Sequence, residues 1–159
     1  MIDGHRLSSL PTEQWRNCIA YVPQFPHLFQ GTLRDNISFG ATSSPGQVEL
    51  AAARAGLENW IEKLPAGYDT VIGEGGRGLS GGEAKRIAIA RAFFRDAPLL
   101  LLDEAMTALD TRNENAIQQE IRELQKNRTV LVIAHRISTA RSADRIIALH
   151  DGQLIEAGD

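Results

Sequence analysis

The sequence has one cysteine, little net charge and no long apolar run, and each shortage excludes a class of protein. Cys18 has no second cysteine with which to form an internal disulfide, which favours a cytosolic chain. The longest apolar stretch, Pro98 to Leu102, is far shorter than the roughly 20 residues that cross a bilayer. A net charge of −3 lacks the strongly basic face of a general nucleic-acid binder, so we expect no nucleic-acid partner.

The remaining composition is that of one globular domain. A length of 159 residues, with 43% apolar and 23% charged residues, is enough for a packed core. Apolar runs at Ile19–Val22, Leu99–Leu102 and Val130–Ala134 predict strands that are buried on both faces, as in a parallel sheet covered by helices. The dipeptide Asp151-Gly152 predicts a β-hairpin at the edge of that sheet.

Helical stretches alternate with the strands. Three of them are predicted over Pro45–Ala55, Glu83–Phe94 and Thr111–Leu124. The alternation indicates an α/β fold with a mainly parallel sheet. The stretch of about 25–95 is mostly helix and loop and could form a separate helical lobe, which leaves 1–24 and 96–159 as the sheet core.

Two adjacent carboxylates, Asp103 and Glu104, follow directly on the apolar run Leu99–Leu102. In open parallel sheets, ligands bind at the carboxyl ends of the strands. An aspartate like Asp103 holds Mg²⁺ in P-loop NTPases, and Glu104 is placed to orient or deprotonate an attacking water. The alternative is a strand that ends in a solvated acidic turn.

The run Leu79-Ser80-Gly81-Gly82-Glu83 leads into the second helix. A helix N-terminus offers free N–H groups and partial positive charge to a phosphate, and glycines let the backbone approach it closely. Ser80 is then either a phosphate ligand or the N-cap. The alternative is an ordinary capped helix start.

Two further polar residues follow the other strands. His135 could contact a γ-phosphate and the attacking water, or it could be a turn residue satisfied by the backbone. Gln24, just after Pro23, could contact Mg²⁺ and water, or it could be ordinary polar surface.

Taken together and in order, these residues resemble the motif series of ABC ATPases. The series is Gln24, Leu79–Glu83, Leu99–Glu104, Ala108-Leu109-Asp110 and His135. They look like the Q-loop, signature motif, Walker B motif, D-loop and switch histidine of that family. The resemblance implies a P-loop NTPase-like fold with a helical subdomain, and ATP and Mg²⁺ as ligands. By motif position it implies that Glu104 and His135 are catalytic, that Asp103 and Gln24 hold Mg²⁺, and that Gln24, Ser80, Gly81, Gly82, Glu83 and Asp110 bind nucleotide.

The subclass resembles the exporters. Leu28-Phe29 and the run Gly31–Ile37 look like the exporter segment after the Q-loop, and Tyr68–Glu74 looks like the exporter cross-link loop. This implies a motor domain that dimerises head to tail with a second ABC ATPase domain, so that Ser80 serves the opposite site. It also implies a transmembrane domain, contacted by Gln24–Phe29 and Glu74, at the cytoplasmic face of the inner membrane.

The pattern departs from the exporters at two places. Glu83-Ala84-Lys85 stands where exporters usually have a Gln-Arg-Gln-like run, and Met106 stands where Ser or Thr is usual. The sequence is also similar to half-transporters that export cysteine or glutathione for cytochrome bd assembly. Two other interpretations stay open: a non-catalytic fragment that docks on a transporter, and a soluble ABC ATPase of DNA repair or translation.

The chain contains no G-x-x-x-x-G-K-[ST] loop, which cradles the phosphates with backbone N–H groups and a lysine. Family members carry that loop upstream of a segment like Ile2-Asp3-Gly4. We therefore expect the sequence to lack the amino-terminal part of the domain.

The 159 residues alone should therefore bind ATP poorly and hydrolyse it negligibly, because the phosphate cradle is missing. Release of inorganic phosphate from Mg-ATP by the purified chain measures this. A steady rate that Glu104→Gln abolishes would contradict the prediction.

Overall fold

The computed structural model describes residues 6, 11–44, 46–73, 76–105, 111–125, 127–134 and 143–158. The α-helices are α1 Thr12–Asn17, α2 Leu33–Ser38, α3 Gln47–Arg54, α4 Glu58–Ile61, α5 Gly81–Arg95 and α6 Thr111–Gln125. The strands are β1 Ile19–Val22, β2 Gly31–Thr32, β3 Val71–Ile72, β4 Leu99–Asp103, β5 Thr129–Ile133, β6 Ile146–His150 and β7 Gln153–Gly158. None of the described helices combines the length and apolar character needed to cross a membrane.

Three parallel strands form the sheet that the apolar runs predict. Their order is β1-β4-β5, with Ile19 opposite Leu99 and Leu99 opposite Thr129. Since β4 pairs on both sides, its N–H and C=O groups are used by the two neighbouring ladders. The expected α/β fold is confirmed.

One face of this sheet carries the core. Ala20, Val22, Leu100 and Leu102 point to that face and are buried. Helix α5 packs against β1 and also contacts α2 and α3, while α6 packs against β5. The buried residues of α6 are spaced as its amphipathic pattern requires: Ile117, Ile121 and Leu124.

The other face of the sheet is open, contrary to the expectation that both faces are covered. Tyr21, Leu131 and Ile133 are each more than half exposed. Successive strand residues point to opposite faces, so these three side chains alternate with the buried ones. Among the described residues, the all-apolar strands therefore have helices on one face only.

Between β1 and α5 the described chain is mostly helix and loop, as expected, but it also contains a short antiparallel pair that the sequence does not predict. Strand β2 pairs with β3, with Gly31 opposite Ile72. Helix α2 follows β2 directly and begins with a capping box, in which Thr32 and Asp35 each accept a hydrogen bond from the other's backbone N–H.

The Asp151-Gly152 turn joins β6 and β7 as the sequence predicts. Both residues have positive φ, 48° and 74°, as a two-residue hairpin turn requires. The expected position at the edge of the main sheet is wrong for the described residues, because β6 and β7 form a two-stranded sheet of their own.

A buried amide, Asn36, joins the segment after β1 to helix α5. Its side-chain nitrogen donates to the carbonyl oxygens of Phe29 and Thr32, both at 3.0 Å. Its side-chain oxygen accepts from the Phe29 N–H at 3.2 Å and from Arg91 Nη2 at 2.6 Å. Burial lowers the pKa of Arg91 to about 10, which leaves the guanidinium charged at neutral pH.

Replacing Asn36 with alanine should lower the free energy of unfolding by about 2–3 kcal/mol, because it leaves buried groups of Phe29 and Arg91 without a partner. Urea denaturation of the chain measures the change. Asn127 is exposed, and Asn127→Ala should change the same quantity by less than about 0.5 kcal/mol. Equal effects of the two substitutions would contradict this account.

Candidate functional site

The carboxyl ends of β1, β4 and β5 lie at one edge of the sheet, because the three strands are parallel. Asp103 ends β4 and Glu104 follows it, while Gln24 lies two residues beyond the end of β1. The structure therefore brings these three predicted site residues to a common edge. His135, Asp110 and Glu74 lie outside the described residues.

Glu104 has an unusual backbone conformation at this edge. Its φ is +46°, in the left-handed region, a conformation that costs a residue with a Cβ roughly 1–2 kcal/mol. Its N–H donates to the carbonyl oxygen of Ile133 at 3.1 Å, so the turn is tied to β5. Strain of this kind at a strand end is typical of functional positions, where it fixes the direction of a side chain.

Asp103 is oriented by a neighbour that the motif analysis does not include. The Tyr21 hydroxyl, on β1, donates to Asp103 Oδ2 at 3.2 Å. Desolvation, the hydrogen bond and the charge of Asp103 all raise the pKa of Tyr21, so the hydroxyl keeps its proton. Tyr21 thus limits the positions that the carboxylate can take.

Lys85 connects the segments that follow β1 and β4. Its side chain comes from α5 and is 3% exposed. Its Nζ donates to the carbonyl oxygens of Pro23, at 3.2 Å, and of Gln24. A third bond, at 3.4 Å, goes to the carbonyl oxygen of Glu104. Burial lowers the pKa of Lys85, and the negative charges of Glu104 and Asp103 oppose that shift.

The signature-like run forms the start of α5. Ser80 is the N-cap and is exposed, and Gly81 and Gly82 are the first two helical residues. A Cβ on Gly81 would meet no atom within 4 Å, so no internal contact of the described chain requires glycine there. A helix start of this kind can present the N–H groups of its first residues to a ligand or a second chain.

Ser80 and Glu83 form a capping box, so the N-cap role of Ser80 is the one observed. The Glu83 N–H donates to Ser80 Oγ at 3.3 Å, and the Ser80 N–H donates to Glu83 Oε2 at 2.6 Å. The Ser80 hydroxyl also donates to Glu83 Oε2, at 2.8 Å. A phosphate that accepted a bond from this hydroxyl would have to replace the carboxylate.

The predicted site residues do not line the groove that lies between β1, α2 and α5. A groove of about 470 Å³ lies between β1, α2 and α5 and is lined by residues such as Ile19, Ile37 and Arg91. The candidate site is therefore an open sheet edge and a helix start, a form that suits a site completed by other protein segments.

A family model described as "ABC transporter" matches residues 1–107, more than half of the chain. The chain belongs to the ABC transporter family. The match includes the Gln24, Ser80 and Asp103-Glu104 motifs, so the family resemblance drawn from those residues is confirmed.

Relatives of this ABC transporter chain are much longer than it is. The ATP-dependent lipid A-core flippase of Vibrio cholerae serotype O1 is 50% identical over 159 residues, which cover 99% of this chain and 27% of the flippase. The flippase of the same name from Escherichia coli K12 is 51% identical over 160 residues, 99% of this chain and 28% of the flippase.

A solved structure extends the likeness to three dimensions. It is described as a bacterial Atm1-family ABC exporter with ATP bound. It is 42% identical to this chain with a TM-score of 0.94, over 99% of this chain and 28% of the exporter. The ABC ATPase fold is thereby shown, while the individual roles of the site residues stay predictions.

Sequence reasoning missed two residues of this ABC site, Tyr21 and Lys85. Tyr21 lies within a predicted strand, and its partner Asp103 is 82 residues away along the chain. In the sequence Lys85 stands out only as a departure from the exporter pattern. A charged residue among the apolar positions of α5 was the one available signal, since charges are rarely buried without a partner.

The capping box should make the stability of the ABC chain depend on pH through Glu83. Burial acts to raise the pKa of Glu83, but hydrogen bonds from Ser80 and the charge of Arg77 outweigh it, so the net pKa is lowered. A lowered folded pKa stabilises the chain above the ordinary glutamate pKa of about 4.3, and this stabilisation disappears as the pH falls through the folded value.

Glu83→Gln keeps an acceptor for the Ser80 N–H but removes the charge. At pH 6 the variant should be less stable than the parent by about 0.3–1 kcal/mol, and near pH 3 the two should be equal. Urea denaturation at both pH values measures the difference, with Glu62→Gln, at an exposed position, as the control. A difference that is the same at both pH values would contradict the role of the carboxylate.

Proposed function

We propose that this chain is part of the ATP-hydrolysing motor of an ABC exporter, which couples hydrolysis to transport across a membrane. The observation that carries the proposal is the adjacent pair Asp103-Glu104 at the end of the central parallel strand, beside the backbone of Gln24. The relatives, which are ATP-dependent flippases and an exporter with ATP bound, support the same activity.

In the proposed mechanism Glu104 orients the attacking water and accepts its proton. A carboxylate in this role contributes roughly 10²–10⁴-fold to the rate. The left-handed backbone of Glu104 and its bond to Ile133 hold the side chain at the sheet edge. Phosphoryl transfer needs mainly positioning and electrostatic stabilisation, which a rigid strand end supplies.

Mg²⁺ fits the oxygen donors of this edge. Among the described residues no cluster of three or more His, Cys, Asp or Glu side chains could hold a metal alone. Mg²⁺ usually takes only one or two carboxylates and completes its shell with water and phosphate oxygens. The carboxylate of Asp103, with the amide of Gln24, would hold the ion, which when bound neutralises charge on the phosphates. The hydrogen bond from Tyr21 would keep the Asp103 carboxylate in position to hold the ion.

The start of α5 is proposed to act on a second ABC ATPase domain, in a head-to-tail dimer. Ser80 and Gly81 are exposed and Gly82 is half-buried, and the N–H groups of the two glycines and the helix dipole suit the γ-phosphate of ATP bound to the partner. Glu83 positions Ser80 through the capping box. His135 as γ-phosphate sensor and Asp110 as a contact between the two sites stay predictions from their motifs.

The proposal includes a transmembrane domain and a place at the cytoplasmic face of the inner membrane. The helical segment 25–95 would contact that domain, and Gln24–Phe29 and Glu74 would form the surface that transmits force to it, with 1–24 and 96–159 as the catalytic core. Phe25 is 82% exposed, as a residue of such a contact surface would be before docking. The similarity to thiol exporters stays a prediction. Neither a docking fragment nor a soluble ABC ATPase is favoured by the relatives.

A chimera tests the proposal in the setting of a whole ABC transporter. In it the 159 residues replace the matched segment of the Escherichia coli flippase, which supplies the rest of an ABC transporter. The chimera should hydrolyse Mg-ATP, and Glu104→Gln should lower the rate about 100-fold or more while ATP binding is kept. Glu62→Gln, at an exposed position, should leave the rate unchanged.

Two results would contradict the proposal. One is a folded chimera that binds ATP but does not hydrolyse it. The other is hydrolysis that Glu104→Gln leaves within a few-fold of the parent rate.

A further inference from the structure

Lys85 is a charged residue with a buried side chain. Removing an ammonium group from water is costly, and proteins usually offset that cost with an adjacent carboxylate. Here all three hydrogen-bond partners are backbone carbonyl oxygens, those of Pro23, Gln24 and Glu104. An ammonium has three N–H donors, so this set satisfies all of them.

The three carbonyls belong to two chain segments that leave the sheet side by side. The last paired residues of β1 and β4 are Val22 and Leu102. Beyond this pair, Pro23 and Gln24 continue one segment, and Glu104 turns away on the other with its left-handed backbone. The ammonium bonds to both segments beyond the point where the parallel ladder ends.

Lys85 also connects both segments to the start of α5, because it belongs to that helix. Lys85 is five residues after Ser80 in one continuous helix, which places its backbone roughly 7–8 Å along the axis from that of Ser80. The backbone hydrogen bonds of α5 connect the two residues through one helix. A shift of the exposed helix start would therefore act through Lys85 on the backbones of Gln24 and Glu104.

We propose that Lys85 is a positioning residue for ATP hydrolysis, which fixes the backbones of Gln24 and Glu104 relative to each other and to the helix that begins at Ser80. This inference rests on the function proposed above. Lys85 acts through the two segments and contacts no substrate. Its loss should therefore affect the chemical step more than nucleotide binding.

The first test is kinetic and uses the chimera. Lys85→Met has a similar length but no donor, and it should lower kcat at least about tenfold while KM for ATP stays within about twofold. Lys85→Gln keeps an amide donor on a side chain one atom shorter, and its kcat should lie between those of Lys85→Met and the parent. Lys63→Met removes an exposed lysine and should change neither constant.

The second test needs no activity and uses hydrogen exchange of the 159-residue chain. In Lys85→Met, amide exchange should rise about tenfold in peptides that cover residues 19–26 and 99–105, while α5 beyond its first turns stays protected. Lys63→Met should leave both peptides unchanged. If the unsubstituted chimera does not hydrolyse ATP, the proposed function fails, and the exchange test still decides whether Lys85 fixes the two segments.

Three results would overturn the inference. The first is a Lys85→Met chimera with the parent's kcat. The second is unchanged exchange in both peptides. The third is a general rise in amide exchange across α5, together with equal losses of kcat in Lys85→Met and Lys85→Gln. This would indicate a purely structural role.

Discussion

The position of every described site residue depends on the parallel pairing of β4 with a strand on each side. Leu102 lies opposite Val22 on one side and Val132 on the other, so Asp103 and Glu104 leave the sheet at a fixed height. Asp103 shares a face of β4 with Leu99 and Leu101, so a slip of one residue in either register would turn its carboxylate toward the buried face. The cost of burying that carboxylate, together with the burial of Leu100 and Leu102, therefore fixes the place of the two acids.

Helix α5 adds the second constraint, because it joins the sheet edge to the rest of the helical segment. Ser80 caps it, Lys85 bonds to the segments after β1 and β4, and Arg91 bonds to Asn36 further on. Arg91 Nη1 also donates to the carbonyl oxygen of His27 at 2.6 Å. The segment that begins at Gln24 is thus bonded at several points to α5. Through this helix, the candidate site is connected to the residues around it.

The sequence was most informative where burial follows a simple period. Strands β1, β4 and β5 and the apolar face of α6 were predicted within one or two residues, because a core forces such patterns on the chain. Helix α5 begins at Gly81, two residues earlier than its apolar spacing indicated, because the capping box of Ser80 and Glu83 extends it. The pair β2–β3 has two residues per strand, too few to create a period.

Contacts between distant residues were beyond the reach of sequence patterns. The bond from Tyr21 to Asp103 and the three bonds of Lys85 depend on how strands and helix pack, and no local spacing encodes them. The motifs located the edge correctly for Gln24, Asp103 and Glu104 because parallel strands must end together. They could not indicate which side chains hold that edge in place.

The contacts of Lys85 have a consequence for the order in which the chain folds. Its bond to Glu104 spans 19 residues, whereas its bond to Gln24 spans 61. Closing the longer loop costs about 1 kcal/mol more in chain entropy, and non-local pairing of this kind slows folding. The pairing of α5 with the end of β4 can therefore nucleate early, and β1 joins it later. On this order, the geometry between Gln24 and Glu104 forms only after α5 has joined β4.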